Sequence, residues 1–254
     1  MSPLLTSLIA FAIIFAGAFL GMFIRNRLPG HHLSGDTKDV VRLGTGLIGT
    51  MAALVLGLLI SSANSTYQTQ STEVEQLTAN AVLLDRTLGL YGPETTSIRI
   101  LLRNGIGTLV DRIWHENSTT DARKAAPFVE SDSAGLLYQD ILKLSPQNEG
   151  QRLFQARAIE ATTDMGKTRL LLFAKAGGAI PAPFLVVLVF WLTIIFMSFS
   201  LFADINAVTI AALGIFALSA SASLFLILEL SQPFTGLMTI PSDGLRNALA
   251  PLGS

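Results

Sequence analysis

The sequence predicts an all-α integral membrane protein. It has four transmembrane helices and a helical extramembrane domain inserted between the second and the third. Three observations predict this. Half of the 254 residues are hydrophobic and only 14% are charged, with a mean hydropathy of +0.55, a balance that belongs to membrane proteins. Four apolar runs are each long enough to cross a bilayer core of about 30 Å at about 1.5 Å per residue. The polar stretch between the second and third runs repeats its apolar residues at steps of three and four, with no alternation of the kind strands need.

The first run, Pro3 to Ile24, has no positive residue before it and exceeds an ordinary signal-peptide core, so it reads as a span that is retained. Gly17 and Gly21 form a small pair four residues apart, suited to close helix contact. A polar connection, Arg25 to Arg42, follows. His31 and His32 are adjacent and cannot share a helix face, which makes them poor joint metal ligands. Asp36 is the expected N-cap of a lead-in to the second span.

The second span is the most informative stretch. Leu43 to Ile60 carries no charge, and Gly46, Thr50, Ala53, Gly57, Ser61, Asn64 and Gln68 follow one another at steps of three or four. On a helix they share one face, small at first and polar towards its end. Leu47, Met51, Leu54, Val55, Leu58 and Leu59 occupy the remaining surface. Two readings fit the small face. Small residues let helices approach closely in lipid, and hydroxyl and amide groups can line a water-filled path between subunits.

Beyond this span, residues 65–178 read as a helical domain. Val74, Leu77, Ala81, Leu84, Leu88 and Tyr91 keep heptad spacing, as the core face of a bundle or as an oligomer seam, until Gly92-Pro93 ends the helix. Ile98, Leu101, Leu102, Leu109, Val110, Ile113 and Trp114 predict the next helix. A loop is expected over 115–132 and a short helix over Ser133–Leu144. Ser145-Pro146 then predicts the start of a helix reaching Lys175, with Leu153, Phe154, Ile159, Met165, Leu171 and Leu172 as its apolar content. Gly177-Gly178, Pro181 and Pro183 separate this domain from the third span.

Phe184–Phe202 and residues 207–228 form the last two spans, an antiparallel hairpin closed by the four residues Ala203–Asn206. Residues 1–64, 65–178 and 179–254 are therefore taken as two spans with their loop, the helical domain, and two spans with a tail. Glu229 ends the fourth span. Its carboxylate either faces headgroups and water, or pairs with a cation or shapes the mouth of a permeation path. Gln232, Pro233 and Phe234 follow it as candidates for the boundary or a subunit contact, and Leu245–Leu249 can add a short amphipathic helix. Four spans place both termini and the domain on one side, but the basic residues divide almost evenly and do not choose the side.

The charges exclude several functions. Net charge is -1, and the 65–178 domain holds twelve Lys or Arg against thirteen Asp or Glu, which is no footprint for nucleic acid. Without cysteine there is no disulfide, thiolate metal site or cysteine nucleophile. No phosphate loop, zinc-protease helix or nucleophile elbow is present, and His115 stands alone in the domain as a helix-end or surface residue. Neither an enzyme nor a metal or cofactor is expected.

The second span LGTGLIGTMAALVLGLLISSA, the polar helix STYQTQSTEVEQL after it, the late hairpin and the tail LELSQPFTGLMTIPSDGLRNAL together resemble the bestrophin-like domain family of bacterial and plant membrane proteins. The resemblance covers nearly the whole chain. The tail around Glu229, Gln232, Pro233, Phe234 and Gly236 is its most specific part. Bestrophins are similar to pentameric anion channels in which the second span lines a narrow neck above a cytosolic helical part. The resemblance therefore implies a homo-oligomer, with five copies favoured, in a bacterial inner membrane, with the 65–178 domain in the cytoplasm and small inorganic ions passing without a cofactor. One feature departs from that pattern: bestrophins place bulky hydrophobic residues at the neck, and here the corresponding face is small and polar. The alternative from the residues is a non-conducting interaction or sensory protein whose helical domain binds a partner, the small face serving packing alone.

Overall fold

The structure, a computed structural model, describes residues 2–29, 35–115, 132–175, 180–204 and 206–249. His31 and His32, residues 116–131 of the expected loop, and Gly177-Gly178 lie outside them. Among the described residues the ordered elements are helices: α1 (Pro3–Arg27), α2 (Gly35–Tyr91), α3 (Thr96–His115), α4 (Asp132–Leu142), α5 (Glu149–Lys175), α6 (Ala182–Phe202), α7 (Ala207–Leu230) and α8 (Asp243–Leu249). Helices α1, α2, α6 and α7 are long and apolar enough to cross a membrane. The described residues divide into two compact units. One comprises Met1–Thr66 and Ala179–Ser231, the other Tyr67–Gly178 and Gln232–Ser254. The tail after the last span thus clusters with the polar helices.

In the first unit, α1 begins at an N-cap, Ser2, whose hydroxyl accepts from the Leu5 amide. It packs along both α6 and α7, which touch one another much less. The glycine pair explains the α1–α6 contact. A Cβ on Gly17 would press on Thr193, and one on Gly21 would run into the main-chain carbonyl of Met197. The two pairings advance together, so α1 and α6 run parallel. With α7 the sense is opposite: Ser221 donates its hydroxyl to the Ser7 carbonyl, and Gly214 lies beside Phe15. Asn206 caps α7 by accepting from the Thr209 amide at 2.8 Å. Arg25, at the end of α1, donates to the Ala203 carbonyl and to Asp204 Oδ1 (2.6 Å) in the α6–α7 turn. The interior is closed by Ile14, Leu188, Ala217 and Ile227, all fully buried.

The second unit is built round the heptad stripe. Val74, Leu77, Ala81, Leu84, Leu88 and Tyr91 are all buried, so the stripe is the core face of the bundle. Ile98, Leu102, Leu109, Val110 and Ile113 of α3 pack on it, joined by Ile106, which the pattern omits. Of the apolar residues expected in α5, Met165 and Leu172 are in the core and Ile159 packs against it, joined by Ala158 and Ala161, while Leu153 and Leu171 are exposed.

Two helix starts differ from expectation. Asp36 is not a cap but lies in the first turn of α2, where its charge favours the helix dipole. Helix α5 begins at Glu149 rather than Ser145-Pro146. Asn148 Oδ1 accepts from the Gln151 amide at 2.8 Å while Gln151 Oε1 accepts from the Gln147 amide at 2.7 Å. This reciprocal arrangement satisfies two helix-end donors that serine before proline leaves unmet.

Candidate functional site

Helix α2 is the least covered of the four apolar helices: 17% of its most hydrophobic window is buried, against 39% for α1. Its inward line is Thr45, Ala52, Leu59 and Ala63, which are buried. The seven residues singled out by sequence, Gly46, Thr50, Ala53, Gly57, Ser61, Asn64 and Gln68, are every one exposed. At about 100° per residue they lie roughly 140° round the helix from the buried line. A Cβ placed on Gly46, Gly49 or Gly57 would meet nothing within 4 Å.

That separates two uses of small residues in one unit. Gly17 and Gly21 are small because a neighbouring backbone lies against them. Gly46, Gly49 and Gly57 of α2 have no such neighbour among the described residues, so close packing on those residues is not what they serve. The bulky residues of α2 also divide. Leu59 turns inward and Val55 is half-buried, while Leu47, Leu54 and Leu58 are 64%, 75% and 69% exposed. Three surfaces therefore run along one helix: an inward line, a bulky outward face, and the small polar face between them.

The polar groups on that face are not equivalent. Thr50 donates its hydroxyl to the Leu47 carbonyl at 2.8 Å, which leaves its oxygen and methyl group outward. Asn64 and Gln68 each carry an amide, able to donate to an anion or to water and to accept from water. No charged residue lies between Leu43 and Gln68.

The residues assigned to the boundary have other surroundings. Glu229 does not face headgroups and water: it is 2% exposed within its own chain. Pro233 and Phe234 are buried, and Gln232 is exposed. Phe234 meets the ring of Trp114 edge to face at 5.6 Å. Trp114 Nε1 donates to the Ile240 carbonyl at 2.9 Å, the Ile240 amide donates to the Pro233 carbonyl at 2.7 Å, and Gly236 takes the positive φ of +96° that the turn requires. The tail is thus a core element of the polar unit. Sequence reading missed the buried polar residues Gln70, Glu73 and Asp85 of α2. The signal for Asp85 was Arg99, placed to meet it after the Gly92-Pro93 turn.

A profile of the Bestrophin-like domain matches residues 12–245. The chain belongs to the bestrophin-like domain family. The fold of this bestrophin-like protein is similar to that of a crystallised mutant of a bacterial bestrophin homologue from Klebsiella pneumoniae, with a TM-score of 0.61, 17% identity and 95% of each chain covered. No curated protein matches the sequence.

Proposed function

We propose that this bestrophin-like protein is a homo-oligomeric channel that conducts small anions passively through a path lined by the small polar face of α2. Five copies form the ring, by analogy with bestrophins. The protein sits in a bacterial inner membrane with the 65–178 domain in the cytoplasm. The observation that carries the reading is that Gly46, Thr50, Ala53, Gly57, Ser61, Asn64 and Gln68 are all exposed on the helix that its own chain covers least. The interior of the first unit is filled by apolar side chains, so a path for ions belongs between copies. An uncharged lining of hydroxyl and amide groups can replace part of an ion's hydration without trapping it. The small side chains leave room that bulky ones would close.

Ion flux from liposomes holding the assembled protein tests this, with chloride and potassium gradients imposed separately. The expected result is flux that follows chloride and falls at least tenfold in Thr50→Leu and Ser61→Leu variants that still assemble. Flux following potassium would keep the path and overturn the anion assignment. No flux from a correctly inserted oligomer would leave the interaction or sensory role as the better account. A strict monomer in mild detergent would remove the channel altogether.

A further inference from the structure

We infer that Arg42 sets the anion preference of the path, one guanidinium from every copy standing at the mouth formed by the start of α2; this rests on the channel reading above. Three observations within the first unit single out this residue.

The first is helical phase. Helix α2 is continuous from Gly35, and Arg42 stands four residues before Gly46, so it falls on the same side of the helix as the small polar face, within about 60° of its middle. Its side chain is exposed. The second is its place in the pattern of charge. From Leu43 to Thr72 there is no charged residue, so Arg42 is the charge that borders the uncharged lining at this end. The third is that the other arginines of the unit are engaged elsewhere. Arg25 donates to the Ala203 carbonyl and to Asp204, and Arg27 lies over the ring of Phe23 at 5.0 Å. Arg42 has no ion pair among the described residues.

Asp39 opposes it. That residue is exposed too, lies near the middle of the same face, and sits about 4.5 Å farther out along the axis. An ion entering from this end meets Asp39 first, in open water, and Arg42 last, where the lining begins. Coulomb interaction falls with distance and is screened by salt water, so the deeper charge weighs more on an ion in the path. The two residues therefore act in opposite senses, and the arginine prevails.

Reversal potentials of the assembled protein in planar bilayers, under a potassium chloride gradient, test this. Arg42→Gln should lower the chloride-to-potassium permeability ratio severalfold, Arg42→Glu should lower it further, and Arg42→Lys should stay with wild type. Asp39→Asn should raise the ratio by a smaller factor. Arg27→Gln, a basic residue on α1 that lies off this face, should leave it unchanged. The Arg42→Gln shift should shrink in molar salt, where the screening length is about 3 Å. An unchanged ratio in a conducting Arg42→Gln channel overturns the assignment and leaves the channel reading standing. An equal shift in Arg27→Gln would overturn it in favour of diffuse surface charge. A shift as large in molar salt, or loss of flux in both Arg42→Gln and Arg42→Lys, would mark a structural role and overturn it as well. Wild-type protein that passes no ions would overturn the channel reading and this one together.

Discussion

Arg99 holds Asp85 by two parallel hydrogen bonds, Nε to Oδ1 and Nη2 to Oδ2, each 2.9 Å. Asp85 comes from α2 and Arg99 from the start of α3, so the pair closes the turn between them with both side chains largely buried. The hydrogen bond to the carboxylate raises the guanidinium pKa against the opposing pull of desolvation. Because the shift is upward, the arginine's share of the stabilisation is present at neutral pH, while its partner is a carboxylate, and is lost only in strong alkali on the basic side. Asp85→Ala removes the carboxylate that grips a largely buried cation and is expected to cost about 3–5 kcal/mol. Asp85→Leu with Arg99→Leu together should cost less than Asp85→Ala alone. Arg99→Lys keeps the charge but loses the two-point grip, and should fall between wild type and Asp85→Ala. Thermal melts of the purified protein in detergent order the four, and equal melting temperatures would contradict the pairing.

The two sets of glycines should behave oppositely. Gly21→Ala puts a methyl group into the Met197 carbonyl, where no side chain can rotate away. A loss of about 1–3 kcal/mol is expected for that overpacking. Gly57→Ala meets open space and improves helix propensity by about 1 kcal/mol, so the protomer should hold or gain stability. Any effect of Gly57→Ala should appear in assembly or flux. Protomer melts beside flux measurements separate the two, and a matched loss of stability in both variants would contradict the difference.

Thr50 offers a distinction between volume and chemistry. Its hydroxyl is committed to the Leu47 carbonyl, so on the proposed channel reading Thr50→Val should leave flux within about twofold, whereas Asn64→Asp would add a carboxylate from every copy to the path and should turn selectivity from chloride toward potassium. Reversal potentials across planar bilayers check both. An Asn64→Asp channel with unchanged selectivity would place Asn64 off the path.

Trp114→Phe keeps the ring against Phe234 and removes the donor to the Ile240 carbonyl. A loss of about 1–3 kcal/mol is expected for the unpaired carbonyl. Phe234→Ala should cost about 3–5 kcal/mol, because it also leaves a cavity. Proteolysis of the tail, followed by mass spectrometry, should quicken in both variants. Cleavage at the wild-type rate would mean that the tail is held elsewhere.

The four long apolar helices and the heptad stripe were legible because hydrophobicity and a period of 3.5 are carried by residue type alone. Leu84 and Leu88 had to be inside whichever neighbours they met. Position 5 in the helix order was harder. Its contact face is Ala158, Ala161 and Met165, and small residues bury where a neighbour comes close, a matter of tertiary distance that hydropathy does not encode. The small face of α2 was visible from residue type, but not its surroundings: Gly17 lies under Thr193, whereas Gly57 meets no neighbour among the described residues of its own chain. A carboxylate after an apolar run signals the water boundary on average, but Glu229 is buried within its own chain, which goes against only the first of its two expected surroundings.

Phe234, Ile240 and Leu245 complete a core whose other members end at Leu172. During synthesis at about 5–20 residues per second, the ribosome must make both late spans before those three emerge. For several seconds the nascent polar unit therefore exposes an unfinished apolar surface beside the membrane. Its core can therefore close only after α6 and α7 have been made.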